Sequence, residues 1–190
     1  MPTIINLRGT SGSGKSTVVR RVMESQRNAG RPLLPLYEEG RRQPLAYRTA
    51  GSVGPPTLFI PGHYATPCGG CDTIKTPDQV YELVRDAAAR GDNVIYEGII
   101  IQDDTKRLLA LNAEHPVHVI ELTTGIMECL EGIQQRRNER GDARPLNSKN
   151  TIARLFRVHR ICDKLRAQSL VIPELGREEA FQYCLRLLNV

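Results

Sequence analysis

The chain has 190 residues, 40% of them hydrophobic and 25% charged, with a net charge of +5; this suits one globular domain with its own core. No apolar run approaches the ~18 residues of a membrane helix, and Met1–Leu7 lacks the basic and long apolar regions of a secretory signal. Five cysteines without an export signal fit reduced thiols, so the expected location is the cytoplasm.

In chain order, Thr3–Leu7 reads as a β-branched strand, followed by a Gly/Ser-rich turn and a helix from about Lys15 to Gln26, in which Val18, Val19, Val22 and Met23 share a face. Pro32–Leu36 reads as a second strand. Residues 40–56 are dense in Gly, Pro and Arg and have no period, so a long loop is expected there. Leu58–Ile60 reads as a short strand, and Pro61–Thr76 as a second irregular stretch. Thr76-Pro77-Asp78-Gln79 has the form of an N-cap, a proline at the first helical position and a capping-box partner. Val80, Leu83, Val84, Ala87 and Ala88 then mark a buried face, and Arg90-Gly91 a stop. The spacing further predicts a strand at Asn93–Tyr96, helix over Asp104–Leu111, strand over Pro116–Leu122, helices over Thr124–Arg137 and Asn150–Arg166, a last strand at Leu170–Ile172 and a closing helix near Arg177–Leu188. Strands alternating with helices imply an α/β fold: a parallel sheet with helices on both faces.

The chemistry is concentrated in Gly9-Thr10-Ser11-Gly12-Ser13-Gly14-Lys15-Ser16, which matches G-x-x-x-x-G-K-[ST] at the first strand–helix junction. Glycines let successive backbone N–H groups curl around a phosphate, and the helix N-terminus adds positive potential. Residues Gly9 to Thr17 are therefore the expected ATP site, with Lys15 reaching the β and γ phosphates and Ser16 ligating Mg²⁺. A second Mg²⁺ contact needs an acid at a neighbouring strand tip. Glu97, at the end of Asn93–Glu97, is the candidate; Glu121 follows an apolar run and reads as core.

Between Arg136 and Arg160 stand eight Arg or Lys against Glu139 and Asp142, a local charge of +6 that exceeds the net charge of the chain. Such a segment fits a polyanionic partner, phosphate or nucleic acid, or else a solvated Arg-rich helix face. Arg136, Arg137 and Arg140 precede Gly141 at the end of a helix, where guanidinium groups closing over the transferring phosphoryl would act as a lid. Arg136 and Arg140, four apart, are the pair expected to share a face. Asp72 is the expected base for an attacking hydroxyl, with Glu38 and Glu39 as other acids of this region. Cys68-x-x-Cys71 with His63 could supply three zinc ligands, but a structural site needs four. Cys129, Cys162 and Cys184 read as core. The division expected is one P-loop kinase domain over residues 1–190, with acceptor-side loops at 40–76 and the lid at 136–150.

With these residues assembled, the chain resembles the small P-loop kinases of the nucleoside and polynucleotide group, and more specifically the bacteriophage 5-hydroxymethyluracil (5-hmdU) DNA kinases. The likeness rests on Gly62-His63-Tyr64, Gly69-Gly70-Cys71-Asp72-Thr73-Ile74, Val94–Ile99, Asp104–Arg107, Arg136-Arg137 and Arg140-Gly141, spread over about residues 3–160. It implies ATP-dependent phosphorylation of the 5-hydroxymethyl group of uracil within phage DNA, the phosphoester then serving as a leaving group for thymidine hypermodification. On that reading the basic segment 136–160 meets DNA in the host cytoplasm. The nucleotide would be flipped or distorted to enter a deep cleft, with Tyr64 or Tyr47 available to stack. Two alternatives remain: a kinase for a free nucleoside, a nucleotide or a 5′-hydroxyl end, and a non-catalytic NTP-binding switch. The switch lacks an Asn-Lys-x-Asp motif and an Asp-x-x-Gly sequence after the second strand.

Overall fold

The computed structural model describes residues 1–50, 56–66, 69–98, 104–142 and 144–189. Seven strands form one sheet in the order β2-β3-β4-β5-β1-β6-β7: β1 (Ile4–Arg8), β2 (Leu33–Leu36), β3 (Ala46–Thr49), β4 (Leu58–Pro61), β5 (Asn93–Glu97), β6 (Val117–Leu122) and β7 (Glu174–Leu175). The helices are α1 (Lys15–Asn28), α2 (Pro77–Ala89), α3 (Thr105–Glu114), α4 (Ile126–Asn138), α5 (Ser148–Arg166) and α6 (Arg177–Leu188).

Every residue of β1 is buried, as a strand covered on both faces requires. Alternation assigns its side chains to two layers. Ile5 and Leu7 join Val18, Val19 and Val22 of α1 and Ala180, Cys184 and Leu188 of α6. Ile4 faces the opposite way, into a core built from α2, α3 and α5. Asn6 and Arg8 point to that second layer by the same alternation, and both are buried. Arg8 joins them to Asp104: it donates Nη1 to Oδ1 (2.7 Å) and Nη2 to Oδ2 (3.0 Å) of Asp104 and Nε to Asn6 Oδ1 (2.7 Å), while Tyr81 donates its hydroxyl to Asp104 Oδ2 (2.8 Å).

The α/β class holds, with three differences. The stretch 40–56 contains β3, which pairs antiparallel with β2 and β4; the sheet is parallel only from β4 to β7. β3 has four residues and its stabilisation comes from two neighbours, so it leaves no period in the sequence. The last strand is Glu174–Leu175 rather than Leu170–Ile172, although Ile172 is buried. Gly125 caps α4 and Asn147 caps α5, the latter accepting from the Asn150 N–H at 3.2 Å. Thr76 Oγ1 accepts from the Gln79 N–H at 3.1 Å, as the capping motif predicts. Among the described residues no helix is long and apolar enough to cross a membrane.

Candidate active site

A cleft of about 660 Å³ opens where β1 and β5 end, lined by Ser11, Gly12 and Gly14 to Thr17 together with Glu97, Asp72, Arg136 and Arg177. The loop turns through Gly12 (φ +83°) and Gly14 (φ +94°), the latter capping α1 without a side-chain bond. The first N–H groups of α1 are thereby left for an anion. Gly12 also has a packing reason to be glycine, because a Cβ there would run into the carbonyl oxygen of Cys129. Gly12→Ala is accordingly expected to weaken ATP binding about 10-fold or more, since left-handed strain and the clash act together. Calorimetric titration with ATP checks this, and an unchanged affinity would remove the loop from the nucleotide site.

Lys15 is buried, and its Nζ donates to the carbonyls of Gly9 (2.8 Å) and Thr10 (3.0 Å). Burial pulls its pKa below the ordinary lysine value, while the charges of Glu97 and Asp72 oppose that shift. Glu97, the last residue of β5, is 6% exposed and its Oε1 has no hydrogen-bond donor. Burial pushes its carboxyl upward and Lys15 draws it back. A buried carboxylate with one oxygen unpaired is suited to a cation. Gly70 (φ +109°) lets the backbone lie against this group, since a Cβ would come 2.9 Å from Oε1.

Asp72 lies in a single 3₁₀ turn, Cys71–Thr73, exposed and on the cleft wall. Its loop is closed on itself: the His63 N–H donates to Thr73 Oγ1 (3.1 Å), and Thr73 Oγ1 donates to the Gly70 carbonyl (2.8 Å). Arg20 of α1 reaches across to the carbonyls of Tyr64 (3.1 Å) and Thr66 (2.6 Å), and Arg41 to that of Thr73 (3.0 Å). The helix that begins at Lys15 therefore also holds the loop that carries Asp72.

On the other flank, Thr124 Oγ1 donates to the Ser13 carbonyl at 2.7 Å. Arg136 is half-buried on the cleft wall, with Nε bonded to the Gly132 carbonyl at 3.0 Å. From α6, Arg177 lays its aliphatic stem against Gly14 and donates Nε to the Ser13 carbonyl at 3.1 Å. From α5, Arg154 donates Nη1 to Ser11 Oγ at 3.2 Å. Arginines on three helices, Arg136, Arg154 and Arg177, thus border the phosphate loop and its cleft.

A "5-hmdU DNA kinase" of Pseudomonas phage PaMx11 is 40% identical over 188 residues, 98% of this chain and 97% of that one. The chain belongs to the 5-hmdU DNA kinases. A protein of the same name from Delftia phage PhiW-14 is 27% identical over 82% of this chain and 60% of its own length. No family model matches. Among solved structures, a gluconokinase from Sinorhizobium meliloti 1021 aligns over 89% of this chain and 98% of its own at 14% identity, with a TM-score of 0.38.

In this chain the cleft brings together Lys15, Ser16, Glu97, Asp72 and Arg136. Gly9, Thr10 and Ser13 support the loop from below, Thr10 and Ser13 being buried. Arg140 is not brought to the cleft. Helix α4 ends at Asn138, and Arg140 lies beyond its cap, exposed, so the four-residue spacing to Arg136 does not describe one helix face. Arg137 is occupied with the carbonyls of Arg144 (2.9 Å) and Pro145 (3.0 Å). Tyr47 and Tyr64 are buried and pack edge to face with ring centroids 6.3 Å apart, and of the two Tyr64 alone lines the cleft. Glu121 is structural, held by His159 (2.6 Å) and Arg166 (2.7 Å). Cys71 is a buried thiol whose pKa burial raises, and it donates to the Pro61 carbonyl at 3.4 Å; Cys68 and Ile99 lie outside the described residues. Arg20, Arg154 and Arg177 were not singled out for the cleft from the sequence, because nothing local to them points to the loop they meet.

Proposed function

We propose that this chain transfers the γ-phosphoryl group of ATP to the 5-hydroxymethyl group of 5-hydroxymethyluracil in phage DNA. The observation that carries the reading is the 40% identity to a phage 5-hmdU DNA kinase across nearly the whole chain. The convergence of Lys15, Glu97 and Asp72 on one cleft supports it. In this reading the loop amides bind the β and γ phosphates, and Lys15 keeps one N–H for a phosphate oxygen beyond its two loop carbonyls. Ser16 and Glu97 fit a Mg²⁺ ion, which when bound would neutralise charge on the phosphates. Asp72 orients the substrate hydroxyl and takes its proton as the oxygen attacks the γ-phosphorus and the bond to the β–γ bridging oxygen breaks, releasing ADP. Arg136 faces the charge that develops. In this reading segment 136–150 serves as the lid of a single kinase domain, and the basic run to Arg160 meets the DNA.

The test is label transfer from γ-labelled ATP with Mg²⁺ to DNA containing 5-hydroxymethyluracil, the same DNA with thymine, DNA with free 5′-hydroxyl ends, and the free modified nucleotide. Label entering only the first, at an internal base, supports the reading. Label on 5′ ends or on the free nucleotide moves the substrate assignment to that acceptor. Asp72→Asn is expected to lower turnover about 10²–10⁴-fold, the usual contribution of a positioned base, with ATP affinity retained. Loss of both turnover and ATP affinity would make Asp72 a structural residue of its loop.

A further inference from the structure

Helix α5 turns two different faces outward and inward. Thr151, Val158, Ile161, Cys162 and Leu165 are buried. On the opposite side of the helical repeat stand Lys149, Ile152, Phe156 and Arg160, all exposed. Phe156 is 67% and Ile152 39% exposed, one turn apart. A shallow depression of about 430 Å³ adjoins Phe156, lined also by Ala153, Arg157, His159, Arg160 and one acid, Asp163. Lys149 and Arg160 lie about 16 Å apart along the helix axis at 1.5 Å per residue, the length of roughly five phosphates of one DNA strand.

The inner side of the same helix meets the phosphate loop. Thr10 Oγ1 donates to the Thr151 carbonyl at 3.4 Å, and Arg154 holds Ser11. One helix diameter, about 10–12 Å, therefore separates this outer face from the loop. An apolar ring bracketed by cations, on a segment with a charge of +6, complements a polyanion that also presents flat aromatic surfaces.

We infer that the outer face of α5 is a DNA-docking surface, with Lys149 and Arg160 on backbone phosphates and Phe156 stacked on a nucleobase near the target nucleotide. The inference rests on the DNA-acceptor reading above and gives that reading a place on the molecule. Stacking on one ring tolerates any base, so the face supplies affinity and register while the cleft selects the modified uracil.

Fluorescence anisotropy of a labelled 5-hydroxymethyluracil duplex and its thymine counterpart, titrated with the full chain at several salt concentrations, tests the surface. Phe156→Ala is expected to weaken binding of both duplexes about 10-fold, the scale of one lost base stack, with the salt slope unchanged. Phe156→Tyr keeps the ring and is expected to keep the affinity. Lys149→Ala with Arg160→Ala is expected to reduce the slope of log affinity against log salt by about two. Transfer assays should show the Phe156→Ala loss in KM for DNA, with kcat at saturating DNA preserved. Binding by Phe156→Ala within about twofold of the parent chain would overturn the inference. So would a change of self-association by sedimentation with DNA affinity intact, which would make a second copy the occupant. If the parent chain labels no 5-hydroxymethyluracil DNA, the substrate reading falls, and the anisotropy series still decides whether α5 binds DNA.

Discussion

Lys15→Ala is expected to cut phosphoryl transfer by about 10²–10³-fold or more, the range seen when one preorganised charge donor is removed from a reacting phosphate or oxyanion. The size follows from where Nζ sits. It is buried beside two acids, Glu97 and Asp72, and is the cation that offsets them at the floor of the cleft. Without it, incoming phosphates meet uncompensated negative charge, so ATP affinity falls as well as turnover. The structural contribution is small by comparison, because among the described residues Nζ bonds to carbonyls of its own loop. A rapid-quench measurement with γ-labelled ATP, beside a thermal melt, separates the effects. A variant that melts within a few degrees of the parent chain and turns over normally would displace the whole phosphate-site assignment.

Asp104→Ala is expected to produce the largest loss of stability, about 3–5 kcal/mol, because it strands a buried guanidinium. Arg8 and Asp104 are 3% and 1% exposed. Burial opposes the Arg8 charge most strongly, and Asp104 together with Tyr81 and Tyr96 outweighs it, holding the guanidinium above its ordinary value. For a chain of this length the loss corresponds to a fall in Tm of roughly 6–20 °C. Replacing both partners, Arg8→Met with Asp104→Leu, should recover most of this, since an apolar pair of similar volume removes the need for charge compensation. It should not recover all, because the Tyr81 hydroxyl then loses its acceptor. Differential scanning calorimetry of the three proteins decides the matter, and an unchanged Tm for Asp104→Ala would show the pair to be energetically idle. The Arg8 stem also packs against Gly98, where a Cβ would come 3.1 Å from Cδ, so the pair underpins the backbone next to Glu97.

What was legible in the sequence is what lies close together along the chain. The Gly9–Ser16 spacing carries its own mechanism, and Thr76 announces α2 because its partner is only three residues away. Glu97 was legible because it ends an apolar strand. Arg140 misled because a spacing of four implies a shared face only while the helix continues, and α4 stops at Asn138. Residue pairs joined by the fold alone gave no signal: Arg8 with Asp104, Arg20 with the carbonyls of the Asp72 loop, and Arg177 with Ser13. β3 was invisible for a related reason, since its four residues are specified by the strands on either side of them.

The position of β1 inside the sheet, between β5 and β6, sets a timetable for the molecule. Ile4 pairs with Val94 on one side and Val117 on the other, so the strand that launches the phosphate loop gains neither neighbour until much of the chain has been made. Arg177 reaches that loop later still. Contacts so distant along the chain are slow to form, because loop closure is paid before they reward it. A nascent chain therefore displays the whole Gly9–Ser16 motif long before it can grip a nucleotide, and ATP added during synthesis should stabilise only products that extend past Arg177.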